Sequence, residues 1–350
     1  MSAAADTAQP ARQDAAGDRP PDDGNPRAMP RTDAALFDGP PLTTPADDAN
    51  PRLCVLASGS SGNCSVLITP KHPGSPLARG VTLIDCGLSP RRTFRLLAAM
   101  GIRPDEIDDI LLTHLDTDHC HPGWASVLNG EGRHTGCRAT LRIARRHLGR
   151  AERDGLLRSR CEPFEPAPFD LSPRLRVCPI MMSHDALGVA AFRFDFTPAG
   201  GAREHPACSL GFATDLGRVT AGLVDHLRGV DVLAIESNYC PRLQRSSARP
   251  AFLKQRIMGG SGHLSNEEAA EAADLISPRE HAVFLHLSRE CNRPELVSAL
   301  HAGARYGHTI TSQFRPSRWV PVRPGPRPTP RAPGRVRLRP LCGDTLPLFA

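Results

Sequence analysis

Thr113-His114-Leu115-Asp116-Thr117-Asp118-His119 follows directly on the apolar run Ile110-Leu111-Leu112. A short apolar run that opens into two imidazoles and two carboxylates reads as a buried strand delivering ligands to a loop at its end. Neutral imidazole nitrogen and ionised carboxylate oxygen are the natural donors for a divalent metal. The plainer alternative is a polar strand-to-helix loop with Asp118 as a helix cap. That alternative gives no reason for so many ligating groups in so few residues.

The same pattern recurs on both sides of this stretch. Residues 53–57 and 64–68 read as strands joined by the polar turn Ser58-Gly59-Ser60-Ser61-Gly62-Asn63. Residues 81–87 form a third strand that ends on an acid, and 89–100 read as a helix with Phe94, Leu96 and Leu97 on one side. Residues 140–148 read as a basic helix, and 164–177 as strands and turns. Further strands are expected at 190–196, 210–215, 231–236 and 282–286, with a helix over 266–276. Strands alternating in part with helices put the fold in the α/β or α+β class. Several of these strands end on a group able to bind metal or to support a ligand: Asp85, His114, His184, Asp215, Glu236 and His286. Strand ends are rigid, and several on one sheet edge can hold donors around a point.

The 350-residue chain has 40% hydrophobic residues, enough for a substantial core. It has no apolar run of membrane-spanning length and no basic-then-apolar leader, so a soluble, cytoplasmic protein is expected. Its 11 cysteines show no C-x-x-C pair and are read as reduced thiols, mostly small core hydrophobes. The net charge of +6 is uneven. Residues 1–50 carry nine acids and four arginines, are rich in Ala, Asp and Pro, and are expected to be disordered. Residues 51–314 are expected to form one folded domain. Residues 315–350 are expected to be a disordered Arg/Pro-rich tail; its eight arginines between 315 and 340, with no acid, suit a polyanion.

The order and context of these motifs resemble the metallo-β-lactamase superfamily, whose H-x-H-x-D-H signature matches residues 114–119 except that Asp116 stands in place of the second His. More narrowly they are similar to the YycJ/WalJ family of metal-dependent exonucleases. The similarity covers roughly residues 53–312. It rests on the turn at 58–63, Asp85-Cys86-Gly87-Leu88-Ser89, Thr113 to His119, Ser183-His184-Asp185-Ala186 and Ala213-Thr214-Asp215-Leu216-Gly217. Glu236-Ser237-Asn238, Gly262-His263-Leu264-Ser265-Asn266 and Leu285-His286-Leu287-Ser288 complete it.

The resemblance implies a four-layer αββα sandwich and two divalent metal ions, zinc or manganese with iron as a further option. His114, Asp116 and His184 would hold one, Asp118, His119 and His286 the other, with Asp215 and a hydroxide bridging them. Asp85 would orient a ligand imidazole through its other nitrogen. Asp118, His263 and Glu236 are the candidate catalytic residues. His263 would meet the phosphate as a cation, and Glu236 would keep it protonated. The carboxylate of Asp116 favours harder ions than zinc. The implied activity is phosphodiester hydrolysis, with DNA preferred over RNA as substrate. Two alternatives stay open: a thioesterase or lactonase of the same superfamily, and a nucleic-acid-binding protein with a weak metal site. At the end of the chain, Leu346-Pro347-Leu348-Phe349 resembles the peptide by which bacterial repair and replication proteins dock on the DNA sliding clamp, with Leu346, Leu348 and Phe349 as anchors.

Overall fold

The computed structural model describes residues 50–70, 79–131, 136–158, 160–184, 186–198, 201 and 206–326. The proposed N-terminal extension, most of the tail and the Leu346-Pro347-Leu348-Phe349 segment lie outside these residues. The apolar runs become strands β1 (Arg52–Ala57), β2 (Cys64–Pro70), β3 (Arg79–Ile84), β4 (Asp109–Leu111), β5 (Thr140–Ala144) and β6 (Cys161–Phe164) of a first sheet. Strands β7 (Phe169–Ser172), β8 (Leu175–Met182), β9 (Val189–Phe196), β10 (Cys208–Ala213), β11 (Val232–Glu236), β12 (His281–Leu285) and β13 (Gly307–Ile310) form a second. A final strand, β14 (Val320–Pro321), returns to pair with β1.

The sheet orders are β14-β1-β2-β3-β4-β5-β6 and β13-β12-β11-β10-β9-β8-β7. Each sheet is antiparallel at one side and parallel at the other, with parallel ladders running from β3 to β6 and from β10 to β13. In the parallel strands the carboxyl ends face the same way. That orientation brings the ligand-bearing loops to one edge of each sheet.

Side-chain alternation builds the layers. Leu53, Val55, Leu67, Ile84 and Leu111 from the first sheet meet Val177, Phe192, Phe194, Leu210, Phe212, Val232, Ala234 and Val283 from the second. The opposite faces are covered by helices. On the first sheet, Val81, Leu83, Ile110 and Leu112 pack under α1 (Pro90–Ala99) and α2 (Gly123–Leu128), through Phe94, Leu97 and Trp124. Helix α3 (Leu148–Arg153) adds Ala151 to that layer. On the second sheet, Leu233, Ile235, Ala282 and Phe284 pack under α4 (Ala221–Leu227), with α5 (Pro241–Ser246) and α6 (Ala251–Arg256) forming a hairpin outside this layer. Helices α7 (Asn266–Ile276) and α8 (Pro294–Leu300) complete it through Ala273, Ile276 and Val297. The result is the αββα sandwich.

Local signals set the helix starts. Ser89 caps α1 by accepting from Arg92 N–H, with Pro90 as the first helical residue. Ser265 and Glu268 form a reciprocal capping box on α7.

Two expectations need correction. Residues 140–148 are not one helix: 140–144 form β5, followed by a 3-10 turn (Arg145–His147) and α3. Leu141 and Ile143 alternate into the outer core, and β5 is inserted between β4 and β6, so the tertiary ladder overrides the helix-forming composition. Nor does order stop at 314. Leu53 pairs with Val320, Val320 and Val322 are buried between the sheets, and Arg52 stacks 5.6 Å from the Trp319 ring. These apolar residues are interspersed with Pro and Arg, which hid the last strand.

Candidate metal centre

The strands deliver their ligands through tight turns at their carboxyl ends. Asp85, Asp215 and His286 follow β3, β10 and β12, and all three have left-handed backbones, with φ of 60°, 52° and 57°. Non-glycine residues rarely adopt this conformation, and it is characteristic of functional sites held by their surroundings. Each turn rotates the side chain from the sheet edge towards a common centre.

Two triplets gather there. The ligating atoms of His114, Asp116 and His184 lie within 4.8 Å of one another, and so do those of Asp118, His119 and His286. Asp215 reaches both triplets: its Oδ2 is 2.8 Å from His119 Nε2 and its Oδ1 is 3.0 Å from His286 Nδ1 in the second, and its ligating oxygen lies within 4.8 Å of His114 of the first. The His114 and His119 rings are 4.2 Å apart, and the His114 and His184 rings 5.2 Å. The donor set is nitrogen and carboxylate oxygen throughout, which suits a divalent cation. Buried His114 Nε2 has no hydrogen-bond partner and stands 3.8 Å from Asp116 Oδ2, and an orphaned imidazole nitrogen beside a carboxylate fits a ligand in waiting. The residues present therefore fit a metal group.

Behind the donors stands a hydrogen-bonded support. His119 Nδ1 is 2.7 Å from Asp85 Oδ2, which leaves Nε2 to face the centre. Thr113 donates both its N–H and its hydroxyl to Asp85 and touches His114 Nδ1 at 2.9 Å. Asp85 thus fixes the orientation of His119 directly and of His114 through Thr113.

Charge is strongly organised. Burial resists a proton on His119, but Asp215 and Asp85 on either side raise its pKa well above the ordinary range. Burial likewise opposes ionisation of Asp215, yet the His286 and His119 imidazoles hold it well below the carboxylate range. Burial, reinforced by the neighbouring His119, pushes His114 well below its usual value, so His114 is a neutral donor. His119 must release a proton to take a metal, so binding is linked to pH.

Beside the triplets stands His263, brought in by the turn before α7. Its Nδ1 is 2.6 Å from Glu236 Oε1 and 3.5 Å from Asp215 Oδ1. Burial disfavours its charge, but Glu236 overcomes that, with help from Asp215 and Asp118, and lifts the imidazole to about 9. Glu236 is fully buried and is itself held by the N–H groups of Leu216 and Leu264. All the site residues expected from the sequence therefore come together at one edge of the sandwich.

The expectation left out four residues. Asn63 donates to the Asp118 carbonyl (3.2 Å) and lies 3.0 Å from His119 Nε2, while Ser58 accepts from His286 N–H at 2.8 Å. The β1–β2 turn therefore latches both ligand loops. Asn238 donates to the His286 carbonyl. Arg150 of α3 donates to Asp116 Oδ1 at 2.9 Å, leaving Oδ2 to face His114 and His184. The first two lie in the turn quoted from the sequence and Asn238 beside Glu236, so their motifs carried a signal. Nothing in the sequence pointed to Arg150, 34 positions from its partner.

Comparison with known proteins places this geometry in a class. Residues 82–287 match the family model described as a beta-lactamase superfamily domain. The solved structures similar in fold include the metallo-beta-lactamase fold protein YhfI from Bacillus subtilis (TM-score 0.54, 12% identity, covering 76% of this chain and 99% of that one). A long form of RNase Z from yeast is also similar (TM-score 0.57, 11% identity, 79% of this chain and 42% of that one). The match to relatives is narrower. The chain is 30% identical over 250 residues to exodeoxyribonuclease WalJ of Streptococcus pneumoniae, spanning 70% of this chain and 85% of the relative. It is 27% identical over 246 residues to exodeoxyribonuclease YycJ of Bacillus anthracis, spanning 69% and 84%. The chain belongs to the beta-lactamase superfamily and, within it, to the WalJ/YycJ family. It is a metal-dependent hydrolase. No helix among the described residues is long and apolar enough to cross a membrane.

Proposed function

We propose that the protein is a two-metal phosphodiesterase that removes nucleotides from DNA ends, working in the cytoplasm. The observation that carries this reading is the hydrogen-bonded Glu236–His263 pair beside two ligand triplets, with Asp215 close to imidazoles of both. The names of the relatives support DNA as the substrate.

His114, Asp116 and His184 would hold one metal, and Asp118, His119 and His286 the other, with Asp215 common to both. Bound divalent cations would make water nucleophilic near neutral pH and neutralise the charge of a phosphodiester transition state. The chain's own residues do the rest. Asp85 keeps the His119 ring turned inward. Glu236 holds a proton on His263, and the cationic imidazole faces the non-bridging or leaving oxygen of the scissile phosphate. It stabilises the charge that develops there or gives its proton to the departing group, while Glu236 remains ionised. The oxygen donor Asp116 shifts metal preference towards manganese or iron over zinc.

Assaying the purified protein with Mn²⁺, Mg²⁺ and Zn²⁺ on end-labelled single- and double-stranded DNA, and on model thioesters and lactones, tests the reading. Phosphodiester cleavage supports it; hydrolysis of the thioester or lactone alone overturns it.

A further inference from the structure

The stretch from Ser237 to Asn266 contains no acidic residue but carries Arg242, Arg245, Arg249, Lys254 and Arg256, most of them on the α5–α6 hairpin. Two of these cations are already engaged: Arg249 pairs with Glu290 at 2.9 Å, and Lys254 donates to the Arg245 carbonyl. Arg242, Arg245 and Arg256 are exposed and have no carboxylate partner among the described residues. Phe252, between them in sequence, is 73% exposed. Arg242 and Arg245 are three apart on α5, and Phe252 and Arg256 four apart on α6, so each pair shares a helix face.

The hairpin borders the centre. Leu243, Leu253 and Met258 pack on Tyr239, Ile257 and Cys291, and Tyr239 lies just past Glu236-Ser237-Asn238. Past α6 the chain kinks at Gly259 and Gly260, where the backbone leaves helical geometry, and reaches Gly262 and His263, whose N–H donates to the Ile257 carbonyl at 3.3 Å. At Gly262 a Cβ would stand 2.7 Å from the Arg256 carbonyl, so the end of α6 and the residue before His263 are in contact. Neither the metal chemistry nor the core uses these exposed groups.

We propose that the α5–α6 hairpin is a single-strand platform: Phe252 stacks on an unpaired base while Arg242, Arg245 and Arg256 hold backbone phosphates, and the strand passes from there to His263. The charge complementarity selects a polyanion, and the exposed ring selects one with accessible base faces. This rests on the nucleic-acid reading above and adds to it the form of the substrate, an end with unpaired nucleotides.

The test compares the metal-loaded protein with its F252A, F252W and R242A/R245A/R256A variants on two substrates. One is bis(p-nitrophenyl) phosphate, too small to reach the platform; the other is an end-labelled single-stranded oligonucleotide. On the small diester all four proteins should share one kcat/KM. On the oligonucleotide F252A should raise KM by roughly 5- to 100-fold, the scale of losing one stacked base, and F252W should restore it. The triple variant should lower the slope of log KM against log salt by about 2, from three lost contacts at roughly 0.7 each. A blunt duplex should respond less to F252A. Wild-type KM and salt slope in both F252A and the triple variant would overturn the platform while leaving the phosphodiesterase reading intact. A wild-type protein that cleaves the small diester and no oligonucleotide would instead overturn the nucleic-acid reading.

Discussion

Asp116 is the residue at which this site departs from the superfamily signature, and the structure gives it an unexpected partner. Its carboxylate is 37% exposed and shared between Arg150 on one oxygen and the His114 and His184 imidazoles on the other. The guanidinium offsets a charge that an imidazole would not have brought. Replacing Asp116 by His should leave Arg150 with only its longer Asp154 pair (3.7 Å) and move metal preference towards zinc, read by metal analysis after reconstitution in mixed ions. Unchanged metal content and metal dependence would remove Asp116 from the ligand set. His263 tests the division of roles: it leans on Glu236, yet with Glu236, Asp215 and His286 it also forms a cluster close enough to hold a metal. His263→Ala should cut kcat by about 10²- to 10⁴-fold with metal content unchanged. The sign of its pH dependence follows from its raised pKa of about 9: the cation is present below that value and is lost as pH rises through it. Glu236→Gln removes the main force holding the proton, so the alkaline fall in kcat should move to lower pH. A fall that stays in place would separate it from His263. The residues of the candidate site were legible in the sequence because their types are the ones metal chemistry uses, and the structure brings them together. Arg150 was not, because an arginine on a short basic helix looks the same whether it meets solvent or a carboxylate.

At the scale of elements, the site depends on where strands stop. The turns after β3, β10 and β12 hold Asp85, Asp215 and His286 in left-handed conformations, and Gly87 shows how closely neighbouring turns approach. A Cβ on Gly87 would fall 1.7 Å from the Asp118 carbonyl oxygen, a backbone atom that cannot swing aside. Gly87→Ala should therefore displace the Asp118 loop. The expected result is weakened metal binding by calorimetry together with a stability loss of roughly 1–3 kcal/mol or more. Wild-type affinity and melting in that variant would mean the loop has slack the packing does not suggest. A second element carries a pH signature. His301 at the end of α8 stacks on Phe284 at 4.1 Å and has a buried Nε2 without a partner, and burial lowers its pKa to about 4. Because the folded value lies below the unfolded one, stability is full above about 6.5 and declines as pH falls towards 4. Urea midpoints at pH 7.5 and 5 should show this fall, and His301→Gln should flatten it. Most strands were legible because continuous apolar runs bounded by turns need little context. β5 was misread because its Leu141 and Ile143 alternate within a basic segment, and only the open place between β4 and β6 decides between helix and strand.

For the molecule as a whole, the two ends of the described chain close the same sheet. β14 pairs with β1, and Val320 and Val322 enter the core between the sheets, so the domain extends past the compositional boundary at 314. Truncation after residue 326 should leave melting and turnover of short substrates nearly unchanged. Truncation after 314 should destabilise the protein by several kcal/mol, at about 1.5–3 kcal/mol for each buried Val lost. Equal melting temperatures for the two truncations would contradict the role of β14. The sandwich and its ligand edge were readable from sequence because the motifs sit at the ends of apolar runs. The boundary was not, because Pro and Arg dominate the composition around three apolar residues, and Val320 among them pairs with Leu53, far away in sequence. The central claim is that the two triplets sharing Asp215 form one phosphodiester-cleaving centre. The most direct measurement is cleavage of end-labelled single-stranded DNA by the metal-reconstituted protein beside its Asp118→Ala and Asp215→Ala variants, with metal content determined on the same samples. Nucleotide release with about two metals per chain, lost in both variants while their circular dichroism stays native, is the result predicted here. A protein that holds two metals yet cleaves no phosphodiester, or variants that cleave as fast as the wild type, would contradict it.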